Sequence, residues 1–297
     1  TVAFAGDLGV ANGFNAFIFE NANTTGGHSE GAMAVGGNWA QGYESFQHNN
    51  PFPTVSGFAN AGVLVGGNVN VSGVSRLFRG NAYVGGSVSG GSIDIHGGGS
   101  TITGNQASIA SVFNAQKAYS LSQSQYLASL TGASINISDP NNINLNLGGN
   151  NLNGNLKVYN VNASQLSSLS TFNLSGGNGS ETVVVNVHGT NVDWGWQVNY
   201  GSKNRLLWNF VDATNINVHN RNLDGSILAV NAHVSQRQNI QGNLIAKSWT
   251  NQNGAELHFG NQFRFAGSVP PPPVPEPASM AVLGMGALAF LRRRKSK

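Results

Sequence analysis

The sequence contains no cysteine among its 297 residues. This absence excludes disulfide-stapled scaffolds, thiolate zinc sites and cysteine nucleophiles. Charged residues are also scarce, at 9% of the chain, against about 25% in an average soluble domain, so a typical α/β enzyme is disfavoured. Apolar residues make up 40% of the chain, which is enough for a buried core and argues against intrinsic disorder.

Positive charge is concentrated at the C-terminus. Five of the 15 basic residues lie within residues 292–297. Removing them leaves ten basic against twelve acidic residues, a net charge of −2. Because no stripe of Lys and Arg with interleaved aromatic residues occurs elsewhere, we expect no nucleic-acid partner.

The composition changes abruptly at Gly267. Residues 267–273 form a linker that ends in four consecutive prolines, which favours an extended, stiff spacer. The apolar run 280–291 that follows would span about 18 Å as a helix, short of a bilayer core of roughly 30 Å. We therefore predict a short hydrophobic helix that crosses the inner membrane only transiently; a surface helix covered by the domain is the alternative. The predicted membrane residues are Met280, Leu283, Leu288 and Leu291, and the predicted cytoplasmic basic cluster is Arg292, Arg293, Arg294 and Lys295.

This C-terminal segment, residues 274–297, resembles the PEP-CTERM sorting signal of Gram-negative bacteria. The resemblance rests on Pro275, Glu276 and Pro277, followed by the apolar run and the arginines. It implies export across the inner membrane, recognition of these three residues by the processing enzyme exosortase, and transfer to the cell surface or the extracellular matrix. Residues 1–5 are too short an apolar stretch for a signal peptide, so we expect the leader to be missing from this sequence.

Internal repeats predict the architecture of residues 1–266. Residues 65–69 (VGGNV) recur 19 residues later as 84–88 (VGGSV), and residues 223–229 match 240–246 at a spacing of 17. Repeats of this length are typical of one coil of a β-solenoid, whose stacked coils share an apolar interior. We predict a mainly β fold, a β-solenoid in which 65–69 lie directly above 84–88. A β-sandwich with Gly-rich hairpins is the alternative.

Helical spacing interrupts this pattern. Glycine is absent from residues 107–130, where Ala, Gln, Ser and Leu dominate. We predict one or two helices at about 107–130 packed alongside the solenoid, separated at the capping-box pair Ser122 and Gln125 into 107–120 and 123–130. A short helical turn is predicted at 164–169. Elsewhere apolar residues alternate with Asn and Ser, which predicts strands with an uncharged, amide- and hydroxyl-rich outer face.

The main domain resembles the choice-of-anchor A domain, an adhesin-type module of bacterial surface proteins. The resembling stretches are 14–17, 30–38, 207–210, 225–232 and 242–248. The resemblance implies a surface role and supplies no catalytic residues. A sorting tail also suits a family named for its alternative C-terminal anchors.

Candidate binding residues are few. Trp194 and Trp196 are expected to point the same way from a strand, either towards a ligand or into the core. Four histidines follow Asp or Asn by two positions, which suggests either a metal- or sugar-binding ladder or solvent-facing side chains. These pairs are Asp94 and His96, Asn186 and His188, Asn217 and His219, and Asn231 and His233. The sequence shows no calcium loop, nucleophile elbow or phosphate loop, so we predict no metal, no cofactor and no catalytic residue.

These observations predict an exported, non-enzymatic protein, adhesive or structural in a polysaccharide or biofilm matrix. Its expected partners are exosortase and extracellular polysaccharide. The alternative is a polysaccharide-binding or polysaccharide-modifying β-helix enzyme, which needs charged residues converging on one groove. An ice-binding solenoid needs a flat array of Thr-x-Thr coils, and the sequence offers only Thr101-Ile102-Thr103.

Overall fold

The computed structural model describes residues 8–40, 44–45, 50–141, 143–148 and 155–273, with the backbone alone for Glu44 and Ser45. The described chain is mainly β, with parallel sheets and few helices. Short 3₁₀ turns lie at Gly9–Gly13 and Lys203–Arg205. The helices are α1 (Gln106–Ser129), α2 (Ala163–Leu166) and α3 (Gly260–Phe263).

Within the described ranges, thirteen strands precede α1 and fourteen follow it. Those before α1 are β1 (Ala16–Ile18), β2 (Ala22–Thr24), β3 (His28–Ser29), β4 (Met33–Val35), β5 (Trp39–Ala40), β6 (Glu44–Ser45), β7 (Ala61–Val65), β8 (Val69–Asn70), β9 (Val74–Leu77), β10 (Asn81–Val84), β11 (Val88–Ser89), β12 (Ser92–Ile95) and β13 (Thr101–Thr103). Those after α1 are β14 (Ala133–Ser134), β15 (Ile143–Asn146), β16 (Leu156–Asn162), β17 (Thr171–Ser175), β18 (Thr182–His188), β19 (Asn191–Trp194), β20 (Gln197–Asn199), β21 (Leu206–Phe210), β22 (Asn215–Val218), β23 (Leu223–Asp224), β24 (Ser226–Gln236), β25 (Ile240–Gln241), β26 (Leu244–Asn251) and β27 (Leu257–His258).

The strands stack in three parallel ladders. The first ladder runs β16–β18–β21–β24–β26–β1–β4–β7–β10–β13, with β14 beside β16. The second runs β19–β22–β24–β26–β2–β5–β8–β11, so that the long strands β24 and β26 belong to both ladders. The third is in two parts, β15–β17–β20 and β23–β25–β27–β3–β6–β9–β12.

The order of strands in the stack differs from their order in the chain. The first strand lies on the last long strand, with Ala16 opposite Leu244 and Ile18 opposite Ala246. The part of the chain before α1 therefore continues the stack that the part after α1 begins. Helix α1 connects β13, at one end of the stack, to β14, at the other end. Its 24 residues span about 36 Å, which is long enough to run back along the stack.

The predicted register of the sequence repeats is confirmed. Val65 lies opposite Val84 and Val69 opposite Val88 in neighbouring parallel strands. In the second pair of repeats, Leu223 lies opposite Ile240. Each repeat therefore occupies the same position on successive levels of the stack.

The recurrent Gly-Gly-Asn sequence belongs to stacked turns. Asn38 N donates to Asn21 Oδ1 at 2.8 Å, Asn68 N to Asn38 Oδ1 at 2.8 Å, and Ser87 N to Asn68 Oδ1 at 2.9 Å. A Cβ atom at Gly67 would meet both Asn38 Oδ1 and the carbonyl oxygen of Gly37. Glycine is therefore required at this position because each turn lies directly on the one below.

The apolar side chains form two clusters. The larger fills the interior between the three ladders and includes all five tryptophans, each at most 1% exposed. The smaller lies between the first ladder and α1, where Phe17 packs on Phe113 with ring centroids 4.7 Å apart. The first ladder is thus covered by the helix, which leaves the second and third ladders to face solvent.

The region 107–130 forms one helix, so its division into 107–120 and 123–130 was wrong. Ser122 and Gln125 lie inside α1 and cap nothing. The buried stripe of α1 changes from apolar to polar in mid-helix, and its polar members bind buried groups. Gln116 Nε2 donates to the carbonyl oxygen of Leu8 at 2.9 Å, for example. The short turn predicted at 164–169 is present as α2, where Asn162 and Gln165 form a capping box.

A buried amide ladder attaches α1 to the first ladder. Asn209 Nδ2 donates to the carbonyl oxygen of Ser124 at 2.9 Å and to Asn186 Oδ1 at 2.9 Å. Asn186 Nδ2 in turn donates to the carbonyl oxygen of Leu127 at 3.0 Å. Asn186 and Asn209 are both 0% exposed, so their unpaired amides would be costly and the pairing fixes the position of the helix.

Candidate functional site

The predicted sorting residues lie outside the described part of the chain. This holds for Pro275, Glu276 and Pro277, for the membrane residues of 280–291 and for the basic cluster at 292–295. Among the described residues, no helix has the length and apolarity needed to cross a membrane.

The segment that leads to this tail is attached beside α1. Ser268 N donates to Thr182 Oγ1 at 2.8 Å, and Gln123 Nε2 donates to the carbonyl oxygen of Pro270 at 3.0 Å. The chain therefore leaves the stack on the side that the helix covers.

Trp194 and Trp196 do not face a ligand, so their interpretation as exposed aromatics was wrong. Both are 0% exposed, and their ring centroids lie 4.0 Å apart. Trp208 completes the cluster, with an edge-to-face contact to Trp194 at 4.8 Å. The two side chains do point the same way, as expected, but into the interior; strand alternation is the same for an inward and an outward face.

The histidines do not form one ladder. His96 pairs with Asp94 at 3.0 Å, His188 with Asp212 at 3.0 Å, and His219 with Asp193 at 3.6 Å. These pairs lie at separate places on the stack, and the part of the chain that the structure describes contains no group of three metal-ligating side chains.

His233 is the exception, because it is partly buried and has no carboxylate in its hydrogen bond. Its Nδ1 atom lies 2.9 Å from Ser248 Oγ. Burial lowers the pKa of His233 below its ordinary value of 6.5, so the neutral ring is favoured.

The outer side of the second ladder carries an ordered array of polar side chains, which we call the polar face. Strand alternation sends Val192, Ile216 and Val234 inward and their neighbours outward. The outward residues form two columns in register. The long column is Asp193, Asn217, Ser235, Thr250, Asn23, Ala40, Asn70 and Ser89; the short column is Asn191, Asn215, His233 and Ser248.

Side-chain hydrogen bonds hold part of this array in place. Asn217 Nδ2 donates to Asp193 Oδ1 at 3.0 Å, and Asn215 Nδ2 donates to Asn191 Oδ1 at 3.2 Å. Each bond joins one level of the stack to the next. These side chains are therefore oriented before any ligand arrives, which lowers the entropy cost of binding.

The polar face is suited to uncharged, hydroxylated ligands. Amide and hydroxyl groups both donate and accept hydrogen bonds, and Asp193 is the one carboxylate in the two columns. Adjacent parallel strands lie about 4.8 Å apart, so the eight levels of the long column extend over about 34 Å. An array of this length can contact many units of a polymer at once.

Sequence comparison then decides the family. The profile of the family described as "Putative Ice-binding-like adhesive domain" matches residues 7–259. The chain belongs to this family. The choice-of-anchor A name that the sequence suggested is not the one found. A second profile, the PEP-CTERM protein-sorting motif, matches residues 273–295 and covers the residues expected to form the sorting signal.

The solved structures to which the chain is similar include three ice-binding proteins. The protein from the Antarctic ascomycete Antarctomyces psychrotrophicus is 16% identical, with 86% of this chain and 99% of that chain covered and a TM-score of 0.45. A domain of ice-binding protein 1 from Shewanella frigidimarina is 14% identical, with 87% and 98% covered and a TM-score of 0.48. An ice-binding protein from an Arctic yeast is 12% identical, with 92% and 97% covered and a TM-score of 0.44. No curated protein shows significant sequence similarity to the chain.

In this ice-binding-like adhesive domain, the alternation of apolar residues with Asn and Ser predicted an amide- and hydroxyl-rich outer face. It did not predict which strands would form that face. Asn186 and Asn209 fit the same pattern as Asn215 and Asn217, yet α1 covers the first pair. The absence of glycine in 107–130 was the available signal that a helix would cover one face.

Proposed function

We propose that the protein is an exported, non-enzymatic surface or extracellular-matrix protein whose ice-binding-like adhesive domain binds a hydroxyl-rich polysaccharide through the polar face. In this proposal residues 1–266 form a β-solenoid domain, 267–273 a linker and 274–297 the sorting segment. The observation that carries the proposal is the register of the two columns on the second ladder. The three parallel ladders support the solenoid description, although no sheet closes on itself.

Weak contacts repeated along the face explain how such a surface could hold a polymer. A single amide–hydroxyl hydrogen bond adds only about 1 kcal/mol in water. When many units of one chain bind neighbouring levels, each later contact is intramolecular and the total affinity rises steeply. The side chains have little charge, so we expect binding to depend weakly on salt.

The test uses the full chain on a polysaccharide array. Asn23→Tyr places a bulky ring in the middle of the long column and should reduce retention of the bound polysaccharide at least about tenfold. Asn144→Tyr, on the exposed side of β15, is the matched control and should bind like the wild type. Equal binding by wild type and Asn23→Tyr, or no binding of any polysaccharide by the wild type, overturns this use of the polar face.

A second candidate function is ice binding by the same face. It is favoured by the description of the family and by the small side chains Ala40, Ser89, Ser235 and Thr250 in the long column. Thermal hysteresis and shaping of a single ice crystal measure it directly. Under this alternative Asn23→Tyr abolishes both effects, and the wild type retains no polysaccharide.

The enzyme alternative gains no support from the charged residues. The polar pocket beside β23 is lined by a single carboxylate, Asp224, which pairs with Lys203 at 2.9 Å. Glycoside hydrolysis requires two carboxyl groups on opposite sides of the scissile bond. The family description likewise names adhesion and no reaction.

Sorting is the remaining part of the proposal. Pro275, Glu276 and Pro277 are the residues that exosortase would recognise, while residues 280–291 hold the chain in the inner membrane and residues 292–295 stay on the cytoplasmic side. Mass spectrometry of the surface protein should find a C-terminus upstream of Lys297 in normal cells and the intact C-terminus in cells without exosortase. An intact Lys297 on the mature surface protein in normal cells contradicts this part.

A further inference from the structure

The third ladder is interrupted at one level where the other two continue. Strand β20 (Gln197–Asn199) ends the sheet β15–β17–β20, and β23 (Leu223–Asp224) begins the next sheet. At the same level the first ladder is continuous from β18 through β21, and the second from β19 through β22. The side of the stack therefore opens between β20 and β23 while the interior stays intact.

This opening forms a pocket of about 390 Å³. Its volume falls within the range of roughly 300–1,000 Å³ found for small-molecule sites. Every residue that lines it is polar: Gln197, Lys203, Asn220, Arg221, Asn222, Asp224, Gln238 and Gln241. A lining made of polar residues favours a ligand that bears several hydrogen-bonding groups over an apolar one.

An ion pair between the half-buried Lys203 and the buried Asp224 lies in this pocket. Lys203 Nζ lies 2.9 Å from Asp224 Oδ2, and the Asp224 side chain is 8% exposed. Lys203 Nζ also donates to Gln241 Oε1 at 3.2 Å. Trp208 Nε1 donates to the carbonyl oxygen of Asp224 at 2.9 Å, so the interior tryptophan holds this residue in place.

Asp224 keeps an unused acceptor. Within the described residues, its buried Oδ1 atom has no hydrogen-bond partner. Burial raises the pKa of Asp224, and the Lys203 ammonium opposes that rise. A buried carboxylate oxygen without a partner costs free energy, which the ion pair with Lys203 partly offsets.

Arg221 supplies charge at the mouth of the pocket. Its side chain is exposed. Among the described residues, no carboxylate forms an ion pair with it. Because Lys203 and Asp224 neutralise each other, the pocket carries a net charge of about +1 from Arg221. A guanidinium matches the two oxygens of a carboxylate in a bidentate pair.

We propose that this pocket binds a carboxylated sugar, a uronic acid unit of the polysaccharide. Arg221 pairs with the sugar carboxylate, and the surrounding amides bind the hydroxyls. This inference deepens the proposed function and rests on it for the source of the sugar. The pocket adds selectivity for acidic polysaccharides to the broad contact made by the polar face.

The test is calorimetric titration of the full chain with glucuronic acid, with glucose and inorganic phosphate as comparison ligands. We expect the wild type to bind glucuronic acid at least about tenfold more tightly than glucose. Arg221→Gln should remove that preference and leave the weaker glucose binding unchanged. Lys117→Gln removes one half-exposed positive charge from α1 and is the matched control, which should bind like the wild type.

A second variant examines the buried carboxylate. Asp224→Asn keeps the shape but leaves Lys203 without its counter-charge, so the net charge of the pocket rises to about +2. Glucuronic acid should then bind more tightly and glucose should bind unchanged; a melting curve confirms that the variant is folded. Preferential binding of phosphate over glucuronic acid, or equal glucuronic acid binding by wild type and Arg221→Gln, overturns the assignment. If Asn23→Tyr still abolishes retention on the array while wild type does not bind glucuronic acid, only the pocket assignment fails and the polar face stands.

Discussion

Asn15 Nδ2 donates a hydrogen bond of 2.8 Å to the carbonyl oxygen of Gly242, across 227 residues of sequence. This bond lies where the first strand of the chain meets the last long strand. Asn243, the next residue, is 0% exposed and binds the same junction through Nδ2, which donates to the carbonyl oxygen of Phe14 at 2.7 Å. Its Oδ1 atom accepts a hydrogen bond from Phe265 N at 2.8 Å.

Asn243→Leu should therefore destabilise the whole stack. The substitution leaves the backbone groups of Phe14 and Phe265 buried without partners, so the free energy of unfolding should fall by about 2–4 kcal/mol. Asn191→Leu, on the exposed short column, should change it by less than about 0.5 kcal/mol. Urea unfolding measures both, and similar losses for the two variants would show that the junction is not specially stabilising.

The amide ladder beneath α1 gives a second prediction. Asn209→Leu removes the side chain that bonds to Ser124 and Asn186, and it should lower stability by about 2–3 kcal/mol. Hydrogen exchange in the C-terminal half of α1 should also speed up, because that half loses its polar attachment. Asn217→Leu, which follows the same sequence pattern on the exposed polar face, is the control and should leave exchange in α1 unchanged.

His233 should make the fold sensitive to mild acid. Burial lowers its pKa below 6.5 in the folded state, so the unfolded chain takes up a proton at a higher pH than the folded chain does. Its contribution to stability is therefore present above about pH 6.5 and is lost as the pH falls through the folded pKa. His233→Gln should flatten the decline in unfolding free energy between pH 7 and pH 5; parallel curves for the two proteins would contradict this.

Stacked turns should not tolerate a side chain at Gly67. A Cβ atom there would lie 2.8 Å from the carbonyl oxygen of Gly37, so Gly67→Ala must displace the turn below and should cost about 1–3 kcal/mol. Gly201 is the control, because a Cβ atom at that position has nothing within 4 Å. Thermal melting should show a lower midpoint for Gly67→Ala and a midpoint within about 3 °C of wild type for Gly201→Ala.

Local chemistry explains which parts of this fold the sequence predicted. Register between Val65 and Val84 followed from the repeats, because the Gly-Gly-Asn turns can stack only in phase. The direction of Trp194 and Trp196 could not follow, since alternation gives two faces without saying which is inside. The sequence predicted one or two helices over 107–130. Their division into two was wrong because the polar residues Gln123 and Ser124, which look like a helix end, are buried where they bind Pro270 and Asn209.

The contact between Ala16 and Leu244 could not be predicted from repeats at all. The two stretches around these residues share no recurrent motif, and the pairing depends on a return path through α1. Likewise, the pocket at β20 and β23 arises because these two strands do not pair with each other. Sequence periodicity predicts which residues form strands, but it does not predict which neighbouring strands remain unpaired.

Under the proposed sorting, the exit of the chain beside α1 sets the orientation of the domain while residues 274–297 hold it. Ser268 and Pro270 are bound to Thr182 and Gln123 on the helix side, so tension applied through residues 274–297 reaches the protein there. The helix side of the domain would then face the membrane until exosortase acts. The second and third ladders, which the helix does not cover, then face away from the membrane.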